Sequence, residues 1–305
     1  MGVNGGGGRR PERAEASGES PPARSRRTRE RPSRPNLLIF VAALLLLALL
    51  VVAAVFLWRT LGDEVPGASV ARDSIDSGRE PRVRITNASG SVSVAGAGDL
   101  EAVEYEVTRY AVAGDPAAAR SAASEVPVDV AREGSTVTLG TDGGGETGAD
   151  YSVRVPSGGG VEVESEEGDV EVTGLDGAVT VRAESGDVTV RDVAGDVTVE
   201  AGGGDVFVGG VRTDTGNVEL SVESGDVSLE DLIVGTLETT VETGDVTLSG
   251  RFSGGGRVSV GTGDVTARLP SGDATELALE TLVGQVSREA PGEDGASEDR
   301  NGGNN

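Results

Sequence analysis

Six aspartates, Asp169, Asp187, Asp205, Asp226, Asp245 and Asp264, each follow a glycine directly and precede a valine, and they recur at a nearly regular spacing. Four of these repeats carry a second acid two positions before the glycine, at Glu166, Glu184, Glu223 and Glu242. Stacked one per layer, such carboxylates offer two kinds of chemistry. An aspartate after a glycine can accept hydrogen bonds from the backbone of its own corner. A row of carboxylates can also hold hard cations, making the six aspartates candidate ligands of weak calcium sites. Calcium-binding nonapeptide repeats read Gly-Gly-x-Gly-x-Asp, with a residue between glycine and aspartate that is missing here. Whichever holds, carboxylates about 4.8 Å apart repel by roughly 0.9 kcal/mol per pair even in water.

Other chemistry is narrowly bounded. The chain has no Cys and no His, and its 26 basic residues are all Arg. Imidazole bases, thiolate nucleophiles, amine Schiff bases and most zinc ligands are therefore absent. Parallel β-helices include polysaccharide lyases and hydrolases that work with Asp, Arg and calcium. Here Arg182, Arg191 and Arg212 show no convergent pattern, and short coils leave little room for the loops of a cleft. We expect a protein that is not an enzyme, with no catalytic residues and no cofactor other than the calcium alternative. Phe207 alternates out of the Val206 and Val208 face and is a candidate exposed aromatic.

The element that positions the aspartates is the phrase Gly-Asp-Val-x-Val. It opens at Gly168, Gly186 and Gly204, recurs with a different last residue at Gly225, Gly244 and Gly263, and ends in a degenerate copy, Gly284-Gln285-Val286. A looser set of glycines, Gly177, Gly195, Gly216, Gly235, Gly256 and Gly272, falls between them. Between Gly186 and Gly203, Val188, Val190, Val193, Val197, Val199 and Ala201 alternate with polar residues. β-Branched alternation broken by glycine every half unit predicts two short strands per unit joined by tight corners. The glycines supply the positive φ that a corner needs. A period of roughly 20 residues marks stacked units. The expected fold is all-β: a β-solenoid over residues 161–288, about 4.8 Å per coil.

Charge divides the rest of the chain. Residues 1–36 carry nine Arg against four Glu and lack any apolar period, so they read as a disordered cytoplasmic tail,. Leu37 to Trp58 holds no charge along its whole length. As a helix it reaches about 33 Å, enough for a bilayer core of roughly 30 Å. It offers no small-residue cleavage site, so it is expected to be an uncleaved transmembrane signal anchor, and the arginine excess before it orients the C-terminal part outside. Residues 59–305 carry 17 Arg against 47 acids, which argues against nucleic acid as a partner,. Residues 59–80 read as a polar tether. Residues 81–160 read as a β-rich cap with one short helix signalled by Asp115-Pro116, and residues 289–305 as a disordered acidic tail.

The run Tyr151-Ser152-Val153-Arg154-Val155-Pro156-Ser157-Gly158, followed by Val161-Glu162-Val163 and the Gly-Asp-Val-x-Val series, resembles the bacterial putative adhesin domain family. Ser89-Gly90-Ser91-Val92-Ser93-Val94 fits the same pattern, and the resemblance covers about residues 81–288. It implies a β-solenoid body of unknown function, often behind a single membrane helix, and attachment to something, and it assigns no catalytic residue. Two function classes follow. One is a membrane-anchored, non-enzymatic binding or structural module of the cell envelope, contacting cell-wall polymer, a neighbouring cell or another envelope protein. The other is an envelope-sensing regulator that reports through its Arg-rich cytoplasmic tail.

Overall fold

The computed structural model describes residues 65–270 and 277–289, so the expected membrane anchor and the two expected disordered tails lie outside the described residues, save Glu289, which closes the last strand. Among the described residues, no helix is long and apolar enough to cross a membrane. In chain order the elements are β1 (Val65–Asp76), β2 (Arg82–Ser89), β3 (Val92–Ala97), β4 (Ala102–Ala113), α1 (Pro116–Glu125), β5 (Asp129–Glu133), β6 (Thr136–Thr141) and β7 (Thr147–Pro156). The repeats follow as β8 (Gly160–Glu167), β9 (Val170–Thr173), β10 (Val179–Ser185), β11 (Val188–Arg191), β12 (Val197–Gly203), β13 (Val206–Gly209) and β14 (Arg212–Ser224). The last are β15 (Val227–Thr243), β16 (Val246–Phe252), β17 (Gly256–Thr262), β18 (Val265–Arg268), β19 (Leu277–Val283) and β20 (Val286–Glu289).

These strands form two parallel stacks, the arrangement of a β-solenoid. One runs β6, β2, β8, β10, β12, β14, β15, β17, β19. The other runs β7, β3, β9, β11, β13, β15, β16, β18, β20. Period-two alternation points every second residue inward, and the register lines these up in columns. Tyr151, Val92, Val170, Val188, Val206, Val227, Val246 and Val265 make one column, each at most 2% exposed. All six aliphatics read as inward in the Gly186 unit are buried.

One column holds a misfit. Leu139, Ile85, Val163, Val181, Val199, Leu220, Thr239 and Val258 are in register and buried, and the Thr239 hydroxyl has no hydrogen-bond partner. Burying an unpaired hydroxyl costs about 1–3 kcal/mol. Thr239→Val, which keeps the shape and removes the hydroxyl, is expected to raise the unfolding free energy by about 1 kcal/mol in urea denaturation.

Two sequence expectations need correction. Residues 65–76 of the expected tether form β1, paired antiparallel with β4 along its whole length from Val65↔Ala113 to Asp76↔Ala102. The stretch lacks apolar alternation because it presents almost no face to the core; backbone hydrogen bonds and close approach to α1 hold it. A side chain at Gly67 would stand 2.4 Å from the Ala119 carbonyl carbon. The expected cap over 81–160 is also partly solenoid. β2 and β3 form a full coil seated between the β6–β7 coil and the β8–β9 coil, out of chain order. The capping is done by β5, antiparallel on the edge of β6, and by β4 on the edge of β7. Helix α1 packs on β1 and β4 and begins at Asp115, whose carboxylate accepts from the Ala117 and Ala118 backbone N–H groups at 2.9 and 3.0 Å.

Tyr151 anchors this end. Its ring is 2% exposed and its hydroxyl pairs with that of Thr141, itself buried. Burial pushes the phenol above its ordinary value of 10, and the Thr141 hydrogen bond opposes this less strongly. A raised folded value means that the contribution is complete below pH 10 and is lost as pH rises through the folded value. Tyr151→Phe should cost about 1–2 kcal/mol at pH 7, by orphaning Thr141. Thermal melts in alkaline buffer should show that deficit shrinking above pH 10, where the wild type alone loses this contribution.

Candidate functional site

The glycine corners place the aspartates on one edge. Gly168, Gly186, Gly204, Gly225, Gly244 and Gly263 all have positive φ, between 113° and 148°. The looser glycine set has a different cause. Gly177 and Gly195 are absent from the positive-φ residues, but a Cβ on either would stand 2.3 or 2.4 Å from the carbonyl oxygen of the glycine one coil earlier. Close backbone approach, not handedness, excludes a side chain there.

Each aspartate binds the next coil, not its own corner. Asp169 Oδ1 accepts from the Asp187 N–H at 3.0 Å, and Asp187 from Asp205 at 2.9 Å. Asp205, Asp226 and Asp245 repeat the bond to Asp226, Asp245 and Asp264 at 2.9, 2.8 and 2.8 Å, and Asp264 accepts from Gln285 at 2.7 Å. The unbroken ladder satisfies one backbone donor per coil and offsets the repulsion between neighbouring charges. All six carboxylates are solvent exposed. Among the described residues, no three acids converge as a group that could hold a metal ion.

This geometry sets apart charge and hydrogen bond. Asp205→Ala should cost about 1 kcal/mol, because Asp226 N–H loses its acceptor. Asp205→Asn keeps Oδ1 and removes repulsion from Asp187 and Asp226, so its stability should equal or exceed wild type in low salt. Raising the salt should narrow the Asn variant's advantage, as screening removes the same repulsion from the wild type.

Beside the ladder, residues of β2, β8, β10, β12 and β14, outward Glu side chains together with buried ones such as Ser165 and Ala201, line a groove of about 960 Å³. Glu164, Glu166, Glu184, Glu200, Glu219 and Glu223 reach it, against the single cation Arg182. The Arg182 guanidinium bridges three coils, 3.1 Å from Glu200, 3.6 Å from Glu162 and 4.0 Å from Glu164. Gly202 interrupts the acids between Glu184 and Glu223, and a Cβ there would stand 2.7 Å from the Glu184 carbonyl oxygen. A second cavity, about 360 Å³, lies over β1, β4 and β7. There Arg72 grips Glu106 through two hydrogen bonds of 2.7 Å and holds its carboxyl below the usual value. These surfaces can receive a cationic or hydroxyl-rich partner by charge and hydrogen bonds.

The other sequence candidates do not join a site. Arg191 lies over the Phe207 ring, 3.9 Å from its centre, so Phe207 is half-buried beneath a cation rather than presented as a free aromatic. Arg212 is exposed on β14. The groove itself was not anticipated. Its signal was the outward Glu residues of neighbouring coils, Glu164 and Glu200 at one register and Glu219 at the adjoining outward position, a face that continues onto β14 only when the longer coil after Glu200 is aligned.

A family model described as Toastrack DUF4097 matches residues 123–305, more than half of the chain. The chain belongs to the Toastrack family. Comparison with curated proteins finds no match. Among solved structures, the fold is similar to a protein from Bacteroides fragilis titled a putative adhesin, with a TM-score of 0.52 and 13% identity over 72% of this chain and 97% of that one. A putative adhesin from Parabacteroides distasonis also matches, with a TM-score of 0.35 and 13% identity over 75% and 98% of the respective chains. The Toastrack match begins at residue 123, yet β2 and β3 upstream of it complete the same stack. The family resemblance stated from the sequence and the β-solenoid expected from its repeats both hold.

Proposed function

We propose that this Toastrack protein is a non-enzymatic, adhesin-like binding module of the cell envelope, held on the plasma membrane by Leu37 to Trp58 with its solenoid outside. The carrying observation is the continuous outward face of the stack, where six Glu side chains and Arg182 line one groove beside the aspartate ladder. Such a face meets a polymer or a protein along several coils at once. The name of the Bacteroides fragilis relative supports attachment as the role. The partner is an envelope surface: wall polymer, a neighbouring cell, or another envelope protein. Nucleic acid is not a partner, because residues 59–305 carry 47 acids and would repel phosphate,.

The test uses the full chain in membranes, challenged with separated envelope fractions with and without calcium, beside a Glu184→Gln/Glu200→Gln/Glu219→Gln variant. Retention by wall or whole cells that weakens in the variant supports the module. Equal retention of the variant removes the groove from the proposal. Protease digestion of intact cells tests topology: cleavage between residues 65 and 289 places the solenoid outside. Loss of phenotype on deleting residues 2–30, with topology unchanged, would favour signalling through the Arg-rich tail instead.

A further inference from the structure

The two ends of the stack are finished differently. At one end β5 and β4 cover the outer edges of β6 and β7. At the other, β19 and β20 pair only with β17 and β18, and their outer edges have no strand partner among the described residues. Val286 is 42% exposed, although Val265 and Val246 in the same column are at most 1% exposed.

Before the corner glycine, the coils from β8–β9 onward carry Glu166-Glu167, Glu184-Ser185, Gly202-Gly203, Glu223-Ser224, Glu242-Thr243 and Gly261-Thr262, with an aspartate after each glycine, and the β2–β3 coil carries the small polar run Ala88-Ser89-Gly90-Ser91. The last coil is alone among these corners in placing two large aliphatic residues before the glycine. It carries Leu282-Val283 before Gly284 and Gln285 after it. Leu282 is 88% exposed and Val283 63%. An acidic corner has become an apolar, neutral one at the open edge. Gln285 ends the aspartate ladder with a side chain that both donates and accepts. Residues 277–289 carry two Glu and one Arg, whereas residues 160–176 carry seven acids and no Arg. The sides of two copies repel, and the last coil is where two copies approach with little charge between them.

We propose that the β19–β20 edge is an interface with a second copy of this chain, joined end to end about a twofold axis. A two-stranded coil edge needs an occupant with the same strand spacing and a matching apolar corner, and a second copy supplies both. Residues 290–305 contain no Val, Leu or Ile, so this stretch lacks the aliphatics of a further coil. An isologous contact sets Leu282, Val283 and Val286 of each copy against the same patch of the other. Strand edges pair by main-chain hydrogen bonds, and the apolar corner closes over them.

The test compares the full chain in detergent with Leu282→Glu/Val283→Thr, which restores the Glu-Thr pair that Glu242-Thr243 already carries in a folded coil. Sedimentation at micromolar concentration should give a dimer for wild type and at least a tenfold weaker association for the variant, with an unchanged melting temperature. A wild-type monomer overturns the proposal, as does a variant that dimerises as tightly as wild type. The chain has no Cys, so Leu282→Cys introduces a sole thiol. Mild oxidation should link Leu282→Cys into a dimer and leave Glu171→Cys, on the flank of β9, monomeric. Equal linking of both also overturns it. Envelope binding through the groove is measured separately, so either proposal can fail alone.

Discussion

Gly244→Ala is expected to lower the unfolding free energy by on the order of 4 kcal/mol, a loss at the top of the range for single substitutions. Two costs add. At φ of 146° an L side chain is strained, which costs about 1–3 kcal/mol,. The new Cβ would also stand 2.0 Å from the Gly225 carbonyl oxygen, a backbone atom that cannot swing aside. Relief requires the two coils to separate, which breaks the Gly225 N–H bond to the Thr243 carbonyl and the Asp226 bond to the Asp245 N–H. Gly78→Ala separates the two terms. Gly78 has φ of 75° but nothing within 4 Å of its Cβ, so only strain remains and about 1 kcal/mol is expected,. Urea denaturation of both variants checks the difference. Equal losses would mean that coil spacing yields more easily than the carbonyl contact implies.

The same corner shows what the sequence could and could not convey. Gly-Asp-Val-x-Val announced the coil, its inward valines and its positive-φ glycine, because each follows from local alternation and local sterics. It did not reveal that Asp169 bonds Asp187 rather than its own turn, since that partner lies a full coil away and depends on register between coils. Nor could it order the coils. Val83, Ile85, Val92 and Val94 alternate like the later repeats, yet lack a neighbour at the repeat spacing, so they read as a separate cap. β1 was illegible for a further reason. It is held by main-chain pairing with β4, and main-chain pairing leaves no mark on residue type. The groove lay between these cases: its carboxylates were all visible and Glu164, Arg182 and Glu200 recur at equal steps, but the longer next coil hid that Ser221 takes the same register position, with Glu219 beside it.

Ile85→Ala should destabilise the protein by about 2–5 kcal/mol, the range for truncating a buried isoleucine in a core that relaxes only partly. Ile85 is fully buried, with Leu139 and Val163 on either side of it in the column. Its importance exceeds its volume because its coil comes first in sequence but sits inside the stack. In a stack where coils follow chain order, a weakened coil is bridged by continuous chain on both sides. Here the β2–β3 coil sits between β6–β7 and β8–β9, so loosening it exposes two edges that the chain cannot bring together otherwise. Hydrogen exchange should therefore quicken in β6 and β8 together in this variant, while β17 keeps its protection. Leu279→Ala, in the same register but half-buried in the last coil, should cost about 1 kcal/mol and quicken exchange only in β17 and β19,. Matching losses for the two variants would mean that the stack unfolds as one cooperative block, whatever the order in which its coils are threaded.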